Sequence, residues 1–247
     1  MSANLMSLAR SGGKFLKLFG DRKMVKTMPT ARDYVQDGLV AMWDGIENAG
    51  WGKHDPSATV WKDLVGGLDI TLPSSAQIKD NHLLLEAEGA SSTNKLIIDT
   101  TKDYTVDVLF VYGDEGEDAT YGQWQVGMLA GISFANMFFR YNVYWGGSRI
   151  FNTPATWNLG LNAPKNCRIP GATFRINQSR GKFDIYYNGV LYHQDIDTGT
   201  KKTAAQVKLV PSHVHQYTYA MRVYSRALTT EEIAHNYAID RARFGLA

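Results

Sequence analysis

Cysteine is almost absent from this 247-residue chain. Cys167 stands alone, so no intrachain disulfide can form and a disulfide-stapled scaffold is excluded; the residue is expected as a small buried hydrophobe. Long apolar runs are missing too. The most apolar stretch, Val126 to Phe139, is interrupted by Gly127, Gly131, Ser133 and Asn136 and falls short of the roughly 20 apolar residues a membrane helix needs, so it reads as two strands and a turn, and no membrane partner is expected. The first residues hold no unbroken apolar segment ahead of a small-residue cleavage site, which predicts no secretory leader and assembly in the cytoplasm. Net charge is also slight, at +2. Gly-x-Ser-x-Gly does not occur, and Gly12-Gly13-Lys14 lacks both the upstream glycine and the following Ser or Thr of a phosphate loop, so nucleophile-elbow and nucleotide chemistry are unsupported.

The little charge there is sits unevenly. Residues 1–28 carry Arg10, Lys14, Lys17, Arg22, Lys23 and Lys26 against Asp21, a net +5 that leaves the remainder at −3. A mildly acidic body is a poor electrostatic footprint for nucleic acid, so no nucleic-acid partner is expected for it. Within the basic segment Leu5, Leu8, Phe15, Leu18 and Phe19 could form short amphipathic helices broken at Gly12-Gly13. The reading is a partly helical arm over residues 1–30, ending at Pro29-Thr30, followed by one body domain over 31–247. Such an arm needs a partner to bury its apolar side, which makes Leu8, Lys14, Phe15, Lys17 and Phe19 candidate assembly-anchor residues; a helix packed on the body and a frayed tail are the alternatives.

From Gly38 onward, hydrophobic residues make up short runs rich in Val, Ile, Leu, Tyr, Phe and Trp, punctuated by Gly, Asn, Asp, Pro and Ser. Strands are predicted at 38–43, 68–72, 76–79, 82–86, 95–99, 104–112, 123–132, 137–144, 173–177, 182–187, 190–195, 207–210 and 217–224. That many strands with almost no helix between them predict an all-β antiparallel sandwich. Asn188-Gly189, between two alternating runs, predicts a type I′ hairpin. After Leu228, Thr229 and Glu232 have capping-box spacing, Ile233, Tyr237 and Phe244 mark one apolar side, and Gly245 suits a C-terminal cap, which predicts a short closing helix.

Three segments together resemble the LamG-like, concanavalin A-like lectin and glucanase jelly rolls: Asp37 to Gly45 with Gly50-Trp51-Gly52 and Trp61-Lys62-Asp63-Leu64, the Phe183 to His193 hairpin, and Tyr219 to Tyr237. The opening variant also resembles proteins of this kind carried by phages and prophages of gut bacteria. The resemblance implies a jelly-roll β-sandwich whose relatives bind glycans, display adhesive surfaces or hydrolyse β-glucans, and fold alone does not choose among these. The expectation is a non-catalytic virion-associated structural or adhesion protein that binds a glycan or cell-surface polysaccharide, contacts other virion proteins through its arm and forms a homo-oligomer. Its expected location is the virion, with the bacterial cell surface as the alternative. A β-glucan hydrolase and a purely structural oligomer subunit are the rival roles.

Glycoside hydrolysis needs two carboxylates flanking one bond. Laminarinase-like relatives supply them as Glu-x-Asp-x-x-Glu on one strand, and no strand here has that pattern. Asp107 stands alone on its strand, Glu86 and Glu88 lack a third acid, and solvated strand edges are expected for them. Asp114, Glu117 and Asp118, in the densest acidic run, are candidate calcium ligands, calcium being the one cofactor the resemblance implies; a solvated loop is the alternative. His213 and His215 share a strand face as a candidate metal pair. Sugar faces stack on aromatic rings, so Trp51, Tyr121, Trp124 and Trp145 are the candidate carbohydrate-binding residues, Trp51 and Trp145 being placed beside glycines in loops, with Trp124 and Trp157 intermediate and Trp43 and Trp61 assigned to the core.

Overall fold

The computed structural model describes residues 28–85, 90–95, 102–112, 122–127, 137–142, 147–151, 156–161, 171–177, 182–197, 206–212 and 216–246. Leu8, Lys14, Phe15, Lys17 and Phe19 of the arm lie outside the described residues, as do Glu86, Glu88, Asp114, Glu117, Asp118, Tyr121, Trp145, Cys167, His213 and His215.

Among the described residues the strands are β1 Leu39–Asp44, β2 Val60–Trp61, β3 Ile70–Thr71, β4 Gln77–Lys79, β5 His82–Leu85, β6 Ala90–Lys95, β7 Tyr104–Tyr112, β8 Gly122–Gly127, β9 Met137–Asn142, β10 Gly147–Phe151, β11 Thr156–Leu161, β12 Gly171–Asn177, β13 Lys182–Tyr187, β14 Val190–Asp197, β15 Gln206–Ser212 and β16 Gln216–Tyr224. A 3-10 turn, Ala31–Asp33, precedes them and a helix, α1 (Thr230–Phe244), follows. Every pairing is antiparallel, in two sheets. The first runs β14-β13-β12-β7-β16-β5-β4 with β1 beside β16, and the second runs β11-β10-β9-β8-β15-β6-β3-β2. This is the antiparallel β-sandwich that the strand spacing predicted.

The predicted turn and helix caps have direct physical counterparts. Asn188 and Gly189 both take positive φ, 50° and 74°, as a two-residue hairpin of I′ type requires. The β4–β5 hairpin uses the same device at Asp80 and Asn81, φ 48° and 64°. In α1 the Thr229 side chain accepts from the Glu232 backbone N–H while the Glu232 side chain accepts from the Thr229 backbone N–H, and Gly245 closes the helix in the left-handed conformation.

The first of the segments that carried the family resemblance is tied together by its own side chains. Trp43 and Trp61 are fully buried, and their indole N–H groups donate to the Leu68 and Asp44 carbonyls, each at 3.0 Å. The Asp63 carboxylate accepts backbone N–H bonds from Met42, Val65, Gly66 and Leu68, folding the β2–β3 connection onto β1. Gly45 passes so close to β5 that a Cβ there would lie 2.0 Å from the Asn81 carbonyl oxygen, which only glycine avoids.

Two cores result. One face of the first sheet contributes Trp43, Val106, Val108, Phe183, Ile185 and Val223 to an apolar layer, each 1% exposed or less. Its other face is covered by α1 and the 30–36 segment, where Tyr34, Met42, Tyr186, Tyr224, Leu228 and Ile233 pack as a second cluster. Strand β7 is therefore buried on both faces from Tyr104 to Leu109. This corrects the expectation for Asp107: β7 lies between β12 and β16 rather than at an edge, and Asp107 is 4% exposed.

Candidate functional site

The helix that closes the chain presents a charged face to the sheet. Its buried residues are Ile233, Asn236, Ile239, Asp240 and Arg243. Opposite them stands Arg222 of β16, wholly buried, with Nε donating to Asp107 Oδ2 at 3.0 Å and the two terminal nitrogens donating to Asp240 at 2.8 and 2.6 Å. Burial works against this guanidinium's charge, but Asp107 and Asp240 overcome it and hold its pKa well above the ordinary arginine value. The Tyr34 hydroxyl donates to Asp240 Oδ1 at 2.6 Å, and its ring lies under the Arg222 guanidinium, 4.1 Å away. Burial, then the neighbouring Asp240, drives the Tyr34 phenol well above its usual range, so it remains the donor.

A second cluster flanks the first. Arg243 donates to both oxygens of Asp44 at 2.6 and 3.1 Å and to Glu47 at 3.1 Å, while Glu47 also accepts the Ala31 backbone N–H at 3.0 Å. Asn236 donates to the Tyr224 hydroxyl at 2.9 Å, and Thr173 donates to Asp107 Oδ1 at 2.9 Å. Strand alternation explains the gathering. Asp107 and Arg222 are register partners, as are Asp107 and Thr173, so their side chains share the face that α1 covers. Chemically this is a clamp: its carboxylates are spent on guanidinium, hydroxyl and amide donors, and helix and turn lie over them.

The second sheet offers a different arrangement. Strands β8, β9, β10 and β11 form a meander at one end of it. Register sets Trp124 opposite Phe139, Phe139 opposite Ile150 and Ile150 opposite Trp157, one apolar row across four strands. One residue along, on the other face, Gln123 pairs with Arg140, Arg140 with Arg149 and Arg149 with Asn158, and Ser212 of β15 extends that row beside Gln123. Gly122 pairs with Tyr141 and Asn142 with Gly147, so the strand ends to which the Tyr121 and Trp145 segments attach fall at one end of the sheet, next to this polar row.

Of the candidate carbohydrate residues, Trp51 is half-buried: it packs against the second core, and the Arg32 guanidinium lies 4.3 Å over its ring. Trp124 shares a sheet face with Phe139, Ile150 and Trp157. Tyr121 and Trp145, like the candidate calcium ligands Asp114, Glu117 and Asp118, lie outside the described residues; among the described residues no group of three or more His, Cys, Asp and Glu side chains is placed to hold a metal ion. Sequence reasoning missed the buried clamp and the Gln123 to Asn158 row. The clamp joins residues more than a hundred positions apart, and the row needs the register of four strands.

No protein-family model and no curated protein matches the chain. Solved structures do. The Trypanosoma rangeli sialidase in complex with sialic acid is similar at a TM-score of 0.56 and 13% identity, over 85% of this chain and 33% of that one. The botulinum neurotoxin serotype D binding domain is similar at 0.59 and 12%, over 82% of this chain and 52% of that one. The binding domain of Paraclostridial Mosquitocidal Protein 1 is similar at 0.58 and 12%, over 81% and 52%. The chain thus spans between a third and about half of the length of these neighbours, and at such identity the likeness is one of fold. Strand order, register and these likenesses together make the chain an antiparallel β-sandwich with a single helix, among the described residues, sealing one of its sheets.

Proposed function

We propose that this chain is a non-catalytic glycan-binding β-sandwich of the LamG-like, concanavalin A-like jelly-roll kind, serving as a structural or adhesive part of a phage or prophage virion. The observation that carries the reading is the inequality of the two sheets. The first is closed on its outer side by α1 and a buried ion network, while the meander of the second sets a polar row beside the strand ends that lead to Tyr121 and Trp145. Sugars need planar polar partners for hydroxyls and aromatic rings for their apolar faces, and the residue types of that row and of the Tyr121 and Trp145 segments in the sequence suit both. Likeness to a sialidase in complex with sialic acid and to two toxin binding domains supports a ligand-facing use of the fold. Residues 1–30, with their +5 charge and apolar Leu8, Phe15 and Phe19, are the anchor to the assembly and the route to its oligomer.

The test is an array of bacterial and host glycans probed with the full chain, each bound glycan then incubated with it and followed by mass spectrometry. Binding without new reducing ends is expected. Turnover that disappears in Glu86→Gln would make the protein a hydrolase, and failure to bind any glycan would leave a purely structural subunit.

A further inference from the structure

A neutral imidazole has one donor and one acceptor nitrogen, whereas an imidazolium has two donors and needs an acceptor for each. His82, the first residue of β5, is 5% exposed. Its Nδ1 lies 3.2 Å from the Asp80 carbonyl oxygen, which can only accept, so Nδ1 carries the ring proton and Nε2 holds the lone pair. Nε2 is buried and has no hydrogen-bond partner. The Tyr217 and Tyr219 rings of β16 flank the imidazole, each with its centroid 5.0 Å away, and Tyr219 in turn meets Phe244 at the end of α1 at 5.4 Å. Gly45 closes in from β1, where a Cβ would lie 3.0 Å from the His82 Cα. Among the described residues, burial holds the His82 pKa below the ordinary 6.5, against the Asp80 carbonyl and carboxylate, which favour the charged ring, and together with Lys79, which opposes it. Beyond Gly45 and Phe244, the charges of Asp44, Glu47 and Arg243 are committed to one another.

We propose that His82 is an acid-sensitive latch on the β4–β5 hairpin: with the ring neutral the hairpin seals the edge of the first sheet, and a proton added at Nε2 in mild acid opens it. The added N–H is buried without an acceptor, and the flanking tyrosine faces return only part of the hydration that the cation loses. Lifting the hairpin restores that hydration. The hairpin is also the part of the sheet most easily lifted, since β4 is the end strand and β5 pairs with β16 over only three register positions, Leu83 to Leu85. Opening uncovers Leu83 and Leu85, both fully buried, and frees the Gln216 to Thr218 stretch of β16, so the acid form presents an apolar strand edge that the neutral form hides. Because the closed hairpin binds this proton less readily than the opened one, closure weakens as the pH falls through 6.5 and goes on weakening until the buried ring itself is protonated. The latch belongs to the first sheet and stands apart from the glycan-binding reading.

The experiment is amide hydrogen exchange of the full chain and of His82→Gln at about pH 7.5 and about pH 5, either side of histidine's ordinary value and corrected for the intrinsic effect of pH on exchange. In the unaltered chain, protection of Gln77–Lys79 and His82–Leu85 should fall in acid by about fivefold or more beyond any fall in His82→Gln, the cost of one buried donor left unpaired being at least that factor. Equal falls in the two proteins, or no fall in the unaltered chain, overturn the proposal. A hairpin as strongly protected in acid as Tyr104–Tyr112 also overturns it, because His82 would then act only through unfolding of the whole sheet. Should His82→Gln fail to fold, the histidine resonances of the unaltered chain decide: His82 must titrate below 6.5, and a midpoint at or above that value contradicts the latch.

Discussion

Arg222 shows how a single side chain can fix the position of a helix. Its guanidinium is withdrawn from water, held between Asp107 on the neighbouring strand and Asp240 on α1, with the Tyr34 ring against it. One cation facing two carboxylates leaves a negative excess, which hydrogen bonds from Tyr34, Thr173 and the nearby Asn236 amide spread over neutral donors. A buried pair of this kind adds little net stability relative to a well-packed apolar replacement of all its members, but removing one partner strands the others. Arg222→Met should therefore lower unfolding free energy by about 3–5 kcal/mol in urea titration, leaving Asp107 and Asp240 buried without a cation. A loss below about 1 kcal/mol, the range of an exposed pair, would mean that the network does not hold the helix. None of this was legible in the sequence. Asp107 looked like a lone acid on a solvated strand because its cation lies 115 positions away, whereas Trp43 and Trp61 were legible as core from the apolar runs around them.

At the scale of elements, caps and turns were legible and faces were not. Thr229, Glu232 and Gly245 mark the helix ends with residue types that satisfy unpaired backbone groups, and Asn188-Gly189 marks the hairpin with residues that tolerate positive φ; both are local signals. The helix's inner side is not local. Its apolar residues suggested Ile233, Tyr237 and Phe244, but Asn236, Asp240 and Arg243 point inward, since charge is tolerated there only through partners on the sheet. Strands β2, β10 and β11 escaped notice, and β6 lies at 90–95 where the strand was expected at 95–99, because each is short, polar or interrupted by glycine, and pairing with neighbours defines them. The entry to α1 carries one more ion pair, with Arg226 donating to both Glu232 oxygens at 2.8 and 2.6 Å and, chiefly through these bonds, holding the Glu232 carboxyl below its ordinary 4.5. A depressed carboxyl contributes stability above its unfolded pKa and loses it as the pH falls through the folded one. The stability gap between the unaltered chain and Glu232→Gln, which preserves the capping geometry, should thus be full above pH 4.5 and narrow below it. A gap constant from neutral pH into strong acid would contradict the assignment.

For the whole molecule, the sandwich was legible because many short strands with almost no helix leave few other ways to bury alternating residues. Membership of the two sheets was not, since it depends on long-range pairings such as β1 with β16 and β15 with β8. Those pairings also give the molecule its asymmetry, with one sheet locked under α1 and the other carrying the Arg140–Arg149 row. The functional account stands on that asymmetry, and amide hydrogen exchange of the full chain with and without the tightest glycan from the array tests it most directly. Ligand should slow exchange in Gly122–Gly127, Met137–Asn142 and Gly147–Phe151 and leave Tyr104–Tyr112 and Thr230–Phe244 unchanged. Protection confined to α1 and the strands beneath it, with none in the second sheet, would place the ligand on the sealed face and contradict the account.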